Sequence, residues 1–393
     1  MFFRFHVQLA LAFAVSGGIT GSTLGEEPKT LVPTTIELKS TPCGDGWKRW
    51  DSIGRIDGMF RERITALVAS GNDVWVGTSY GRLLTQQNDG WILQGRLDGI
   101  QITGIAIETA DKVWLSTSDG IRRLEKDGDQ PWQVKEFRYY YEGHPAFVSG
   151  AYMPGEDAVR LWGYVDDIYV PTSETSYSPF VISTEHGLFC WGGYGRVWHH
   201  FMPHYWGANS AWLDTRELVP NRRPTCIVED SDGNLWIGAE RDGLIRLNAH
   251  ARKYSDRRSD NNDKDGTEFS FIGPKEIGCK FDRVADLAAS ADKGVWAILT
   301  SREGGCALAR FDGKQWETHA LDGLARCVAE AEVGVVLIGA GGSDGDRHLG
   351  VQKVTWATKT IERLAGPENV IFEVIRLTDG TVFAASWWSL YES

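Results

Sequence analysis

Proline and cysteine are scarce: 13 prolines and 6 cysteines stand among 393 residues. So few cysteines in so long a chain exclude a disulfide scaffold. None of Cys43, Cys190, Cys226, Cys279, Cys306 and Cys327 has the short spacing of a zinc site. Six thiols allow fifteen pairings, and the pairing stays open. Positive charge is also short, with 41 Lys and Arg against 53 Asp and Glu for a net of −12. That balance argues against a general binder of nucleic acid or of anionic membrane. After the first residues no apolar run reaches the ~18 residues of a membrane span, so no membrane insertion is expected. There is no G-x-S-x-G, no P-loop and no G-x-G-x-x-G opening a helix.

Metal ligands are equally thin. His199, His200 and His204 fall close together, but Pro203 breaks the strand that would put His200 and His204 on one face. The run Asn261-Asn262-Asp263-Lys264-Asp265-Gly266 has the opening of a calcium loop without its closing glutamate, since Ile272 holds that position. No metal and no cofactor are expected.

What is abundant is glycine, at 45 residues, and tryptophan, at 17. Together they suit many short aromatic strands joined by tight turns. Residues 1–25 place Arg4 before an apolar stretch from Val7 to Val15 and then small residues up to Gly25, the pattern of a secretory signal peptide. The first cysteine, Cys43, lies too far on for a lipid anchor. The expectation is a secreted or periplasmic protein with an N-terminal lead over residues 26–44 and one domain over 45–393.

A single phrase recurs through that domain. Its clearest copy runs from Cys226 to Leu247, CIVEDSDGNLWIGAERDGLIRL, and Ile64 to Leu84 reads ITALVASGNDVWVGTSYGRLL. The large residue of each copy falls at Trp75, Trp114, Phe180, Trp236, Trp296, Leu337 and Phe383. The shorter intervals between these markers are about forty residues, the length of a four-stranded propeller blade. The fold expected is therefore all-β, a seven-bladed β-propeller of four-stranded blades. After Phe383 only enough chain remains for a third strand, while Trp47 to Trp50 resembles the openings of fourth strands elsewhere. The N-terminal strand is thus expected to close the ring.

Read together, Glu229 to Leu247 resembles the two-component regulator propeller repeat. The resemblance implies a β-propeller of the kind that usually forms the exported sensor half of hybrid histidine kinases, many of them linked to polysaccharide use. No kinase or DNA-binding segment occurs before Ser393. The reading is of a stand-alone exported propeller that binds a ligand.

Three connections are long, Arg138 to Asp157, Met202 to Arg223 and Asp256 to Asp282, and are expected side by side on one face. The first two carry the candidate ligand-binding residues Tyr140, His144, His204, Tyr205, Trp206, Arg222 and Arg223. Aromatic faces stack on sugar rings and arginine pairs with carboxylate or sulfate, so an acidic polysaccharide is the expected ligand. An extracellular protein is the other expected partner. The same aromatics would equally serve as a small satellite core under long loops. The alternative function is a polysaccharide lyase or other glycan-active enzyme in which His144, His204 and a tyrosine share proton transfer and arginine neutralises the uronate. A structural platform for protein interaction is the third class.

Overall fold

The structure, a computed structural model, describes residues 29–50, 62–87, 90–137, 139–140, 159–160, 165–172, 177–183, 187–192, 197–200, 224–240, 243–248, 269–341, 349–367 and 369–393. Its unit is a meander of four antiparallel strands, here lettered a to d from the inside of the ring outward. In the first blade these are Ile64–Ser70, Asp73–Thr78, Arg82–Gln87 and Gly90–Arg96. Six such blades are each built from four consecutive strands. A further sheet, which contains Phe383, is composite: Glu373–Arg376, Val382–Ala385 and Leu390–Glu392 are joined by Lys48–Trp50 from the other end of the chain. The inner strands neighbour one another in cyclic order, beginning at residues Ile64, Ile102, Asp167, Pro224, Arg283, Ala325 and Glu373 and returning to the first. The fold is an all-β propeller closed by an N-terminal strand.

The repeated phrase explains each blade locally. In EDSDGNLW, Asp230 accepts hydrogen bonds from the backbone N–H of Asp232 (3.0 Å) and Asn234 (2.9 Å), which bends the a–b turn. Its second oxygen accepts the indole N–H of Trp236 at 2.8 Å. Two residues after the marker stands a glycine in the first, fourth and sixth blades, Gly77, Gly238 and Gly339. A Cβ on Gly77 would lie 2.6 Å from Ile102 of the next blade, and one on Gly238 would lie 2.5 Å from Cys226 and 2.8 Å from Val284. Glycine there lets adjacent inner strands approach.

The core lies between blades rather than within one sheet. Trp75 packs edge-on against Trp132 of the second blade at 6.0 Å between centroids, Trp236 against Trp316 at 5.8 Å, and Trp296 against Trp356 at 5.1 Å. Each marker therefore reaches an aromatic on the outer part of the following blade. Two of the buried marker indoles donate to carboxylates, Trp114 to Glu108 at 2.7 Å and Trp296 to Glu330 at 3.0 Å.

The lead before Trp47 turns out to be part of the ring's outer wall. Lys29–Leu31 pairs with the outer strand of the second blade, Thr34–Ile36 with that of the first, and Thr41–Pro42 with Lys48–Trp50 of the composite sheet. One strap thus crosses the edges of three adjacent sheets, which would otherwise present unpaired backbone groups.

One connection differs from expectation. Within Asp256 to Asp282 the structure places the fourth-blade outer strand, Phe269–Ile272, and a short helix, Pro274–Ile277. The long part, 248–268, therefore joins strand c to strand d. In an antiparallel meander the c–d turn lies on the face opposite the b–c turns and d–a connections, so the ends of this connection, Leu247 and Phe269, lie on the face opposite the ends of the other two. The inner strand of the third blade is Asp167–Tyr169.

Candidate ligand-binding cleft

The most exposed aromatics sit where the ring closes. Strand Val382–Ala385 and strand Leu390–Glu392 are joined by Ser386-Trp387-Trp388-Ser389. The two serines tie the turn: Ser386 N–H donates to the Ser389 carbonyl at 2.9 Å, and Ser389 N–H donates to Ser386 Oγ at 3.1 Å. Both serines are buried, so the two tryptophans are left at the tip, 49% and 40% exposed. The tip is fastened to the first blade, whose Ile64 N–H donates to the Trp387 carbonyl at 2.9 Å.

Across from this turn stands the b–c turn of the first blade, with Tyr80 45% exposed. Gly81 beside it has φ +80°, and a Cβ there would lie 2.6 Å from the carbonyl of Ile100, so this turn requires glycine. Arg63, which enters the first inner strand, is held at its backbone by Ser79: its N–H donates to Ser79 Oγ at 3.1 Å and its carbonyl accepts Ser79 N–H at 2.9 Å. Its guanidinium lies 5.2 Å from the ring centroid of Trp387 and 5.4 Å from that of Trp388. Arg63, Ile64, Thr65, Ser79, Tyr80, Gln101, Phe372, Trp387 and Trp388 line an open cleft of about 650 Å³. It spans the composite sheet, the first blade and the edge of the second.

Every lining residue belongs to a b–c turn or to the start of an inner strand, so the cleft is on the face where d–a connections emerge. Two of the expected connections are anchored there. One leaves the second blade after Phe137 and enters the third at Asp167; the other leaves the third after His200 and enters the fourth at Pro224. Within the first, the backbone of Tyr139–Tyr140 pairs with Val159–Arg160. His144, His204, Tyr205, Trp206, Arg222 and Arg223 lie outside the described residues, as does the side chain of Tyr140. The calcium-like run at 261–266 and the signal segment 1–25 lie outside them too.

A second feature surrounds the axis. The residue facing the position two beyond each marker is Ala66, Gly104, Asp167, Cys226, Asp286, Cys327 or Glu373 in successive inner strands. These are equivalent positions, and three carry carboxylates. Each keeps a little accessible surface yet is surrounded by protein. Burial pushes Asp167 up to about 6, with Asp166 adding to it, and burial with the field of Asp167 pushes Asp286 up to about 7. Glu373 is raised well above the usual carboxylate range by burial and then by Asp286 and Asp167. The intervening thiols, Cys226 and Cys327, are driven upward by burial first and by these acids second. They stay protonated, which removes them as nucleophiles. Among the described residues no group of three or more His, Cys, Asp or Glu is arranged to hold a metal ion.

Fold and cleft together define a propeller with exposed aromatics around a cleft on one face. Residues 218–241 match the family described as two component regulator propeller, so the chain carries this repeat. No curated protein matches it in sequence. Among solved structures it is similar to the extracellular domain of the hybrid two component system BT3049 from B. thetaiotaomicron, at 13% identity and a TM-score of 0.52, covering 84% of this chain and 39% of that one. The chain therefore spans well under half of that structure's length. It is also similar to a virginiamycin B lyase from Staphylococcus aureus, at 11% identity and a TM-score of 0.56, covering 91% of this chain and 99% of that one. A third likeness is to YCF48 from Cyanidioschyzon merolae, at 11% identity and 0.52, covering 88% and 98%. Similarities this distant show the fold alone. Among the described residues no helix is long and apolar enough to cross a membrane.

Arg63, Tyr80, Trp387 and Trp388 are missing from the sequence-based candidates. A signal for them existed: two consecutive tryptophans between serines, in a turn where side chains have no core to enter.

Proposed function

We propose that this protein is an exported binding module that takes a carbohydrate in the cleft at the ring closure. The observation that carries this reading is the exposed trio of Trp387, Trp388 and Tyr80 around a cleft of about 650 Å³, a volume within the usual range for small-ligand sites. Flat indole faces accommodate the C–H faces of a pyranose, while Thr65, Ser79 and Gln101 along the wall are hydrogen-bonding groups suited to its hydroxyls. Binding is favoured over catalysis because, among the described residues, the lining includes neither a histidine nor a carboxylate to move a proton. Two of the candidate connections have both anchor points on this face, which supports a contribution from His144, His204, Tyr205, Trp206, Arg222 and Arg223 to the same surface. An extracellular protein is the other partner that an exposed aromatic face would suit.

The test is a panel of oligosaccharides titrated against tryptophan fluorescence. The expected result is saturable quenching that disappears in the Trp387→Ala/Trp388→Ala variant while its melting temperature is kept. Absence of saturable binding across neutral and acidic glycans would overturn the proposal.

A further inference from the structure

We infer that the cleft selects a sugar carrying an acid group and that Arg63 is the residue that reads it; this rests on the carbohydrate reading above and names its substrate class. Among the described residues the Arg63 guanidinium makes no hydrogen bond or ion pair, and it contacts the two indoles. The adjacent acid cannot neutralise it. Glu62 is buried and committed elsewhere, to Arg82 at 3.2 Å and to the hydroxyl of Thr78 at 2.9 Å. Among the described residues the cleft lining therefore contains one cation and no anion, in a chain whose net charge is −12.

An arginine held over aromatic rings is restricted in position, while the N–H donors at the edge of its guanidinium remain available for a planar carboxylate or a sulfate. The indoles supply the stacking surface beside it. A sugar acid meets both requirements in one residue, whereas a neutral sugar uses only the stacking and hydroxyl contacts. An acidic protein segment would satisfy the charge but would leave the two indole faces without a ring to stack on.

Binding of a short galacturonic acid oligomer and of the neutral galactose oligomer of equal length is measured on the full chain, with wild type, Arg63→Gln, Arg63→Lys and Trp388→Ala. Wild type is expected to prefer the acid by about tenfold. Arg63→Gln should lower acid affinity to that of the neutral oligomer, Arg63→Lys should keep part of the preference, and Trp388→Ala should weaken both. Equal affinities in wild type, both lost in Trp388→Ala, would overturn the acid reading and leave the carbohydrate reading standing. An undiminished preference in Arg63→Gln would overturn the role of Arg63. Displacement of the acid oligomer by polyglutamate at equal concentration would overturn the sugar in favour of an acidic protein segment. Failure of both oligomers to bind would remove the carbohydrate reading itself.

Discussion

The indole N–H of Trp50 donates to a carboxylate oxygen of Glu392 at 2.7 Å, across 342 positions of sequence. Glu392 also accepts Gln86 at 3.3 Å and pairs with Lys48 at 2.6 Å, so one buried carboxylate joins the closing strand, the last strand and the first blade. Glu392→Gln should cost about 1–3 kcal/mol, because it weakens charge-assisted bonds to groups that stay buried. Denaturant midpoints check this, and an unchanged midpoint would mean that closure does not depend on the carboxylate.

The marker tryptophans and the cleft tryptophans should differ sharply in stability. Trp236→Ala removes a fully buried ring and should cost roughly 3–5 kcal/mol, whereas Trp387→Ala, half exposed, should cost about 1 kcal/mol or less. Similar losses for both would make the cleft ordinary core.

The axial acids predict how stability varies with pH. Asp286 titrates near 7 and Asp167 near 6 in the folded chain, against 3.8 ordinarily. Below the ordinary value both states are protonated and no penalty exists. As pH rises from about 4 to 7 the unfolded chain releases these protons while the folded chain retains them, so stability should fall across that window. Asp286→Asn keeps an oxygen to accept the Val328 N–H, removes part of the slope and should raise stability near pH 7.5 by about 1 kcal/mol or more. Parallel melting profiles for wild type and variant between pH 4 and 8 would refute the assignment.

The rim strap predicts a pattern of amide protection. Deleting residues 29–42 should speed hydrogen exchange in Gly90–Arg96 and Trp132–Phe137, the strands it covers, and leave the inner strands slow. Uniform acceleration throughout would show that the strap sustains the whole ring.

Elements that repeat were readable in the sequence, and elements that occur once were not. The large marker residue recurs because every blade must fill the space against the same kind of neighbour. The composite sheet was readable because Trp47 to Trp50 looks like other outer strands. The strap was missed because strands of three residues, such as Lys29–Leu31, are too short to show alternation. Phe269–Ile272 does alternate, but it lies beyond a long polar stretch and was absorbed into a loop. The cleft was missed for a different reason. Arg63, Tyr80, Gln101 and Trp387 come from three sheets and meet only because inner-strand entries and b–c turns share a face.

The composite sheet also sets an order of events in time. Lys48–Trp50 is made long before its partner Leu390–Glu392. The ring cannot shut until Leu390–Glu392 has been made, and that step joins distant parts of the chain, the kind of contact that slows folding most. A chain delivered across a membrane N-terminus first would seal the circle only once Leu390–Glu392 had crossed.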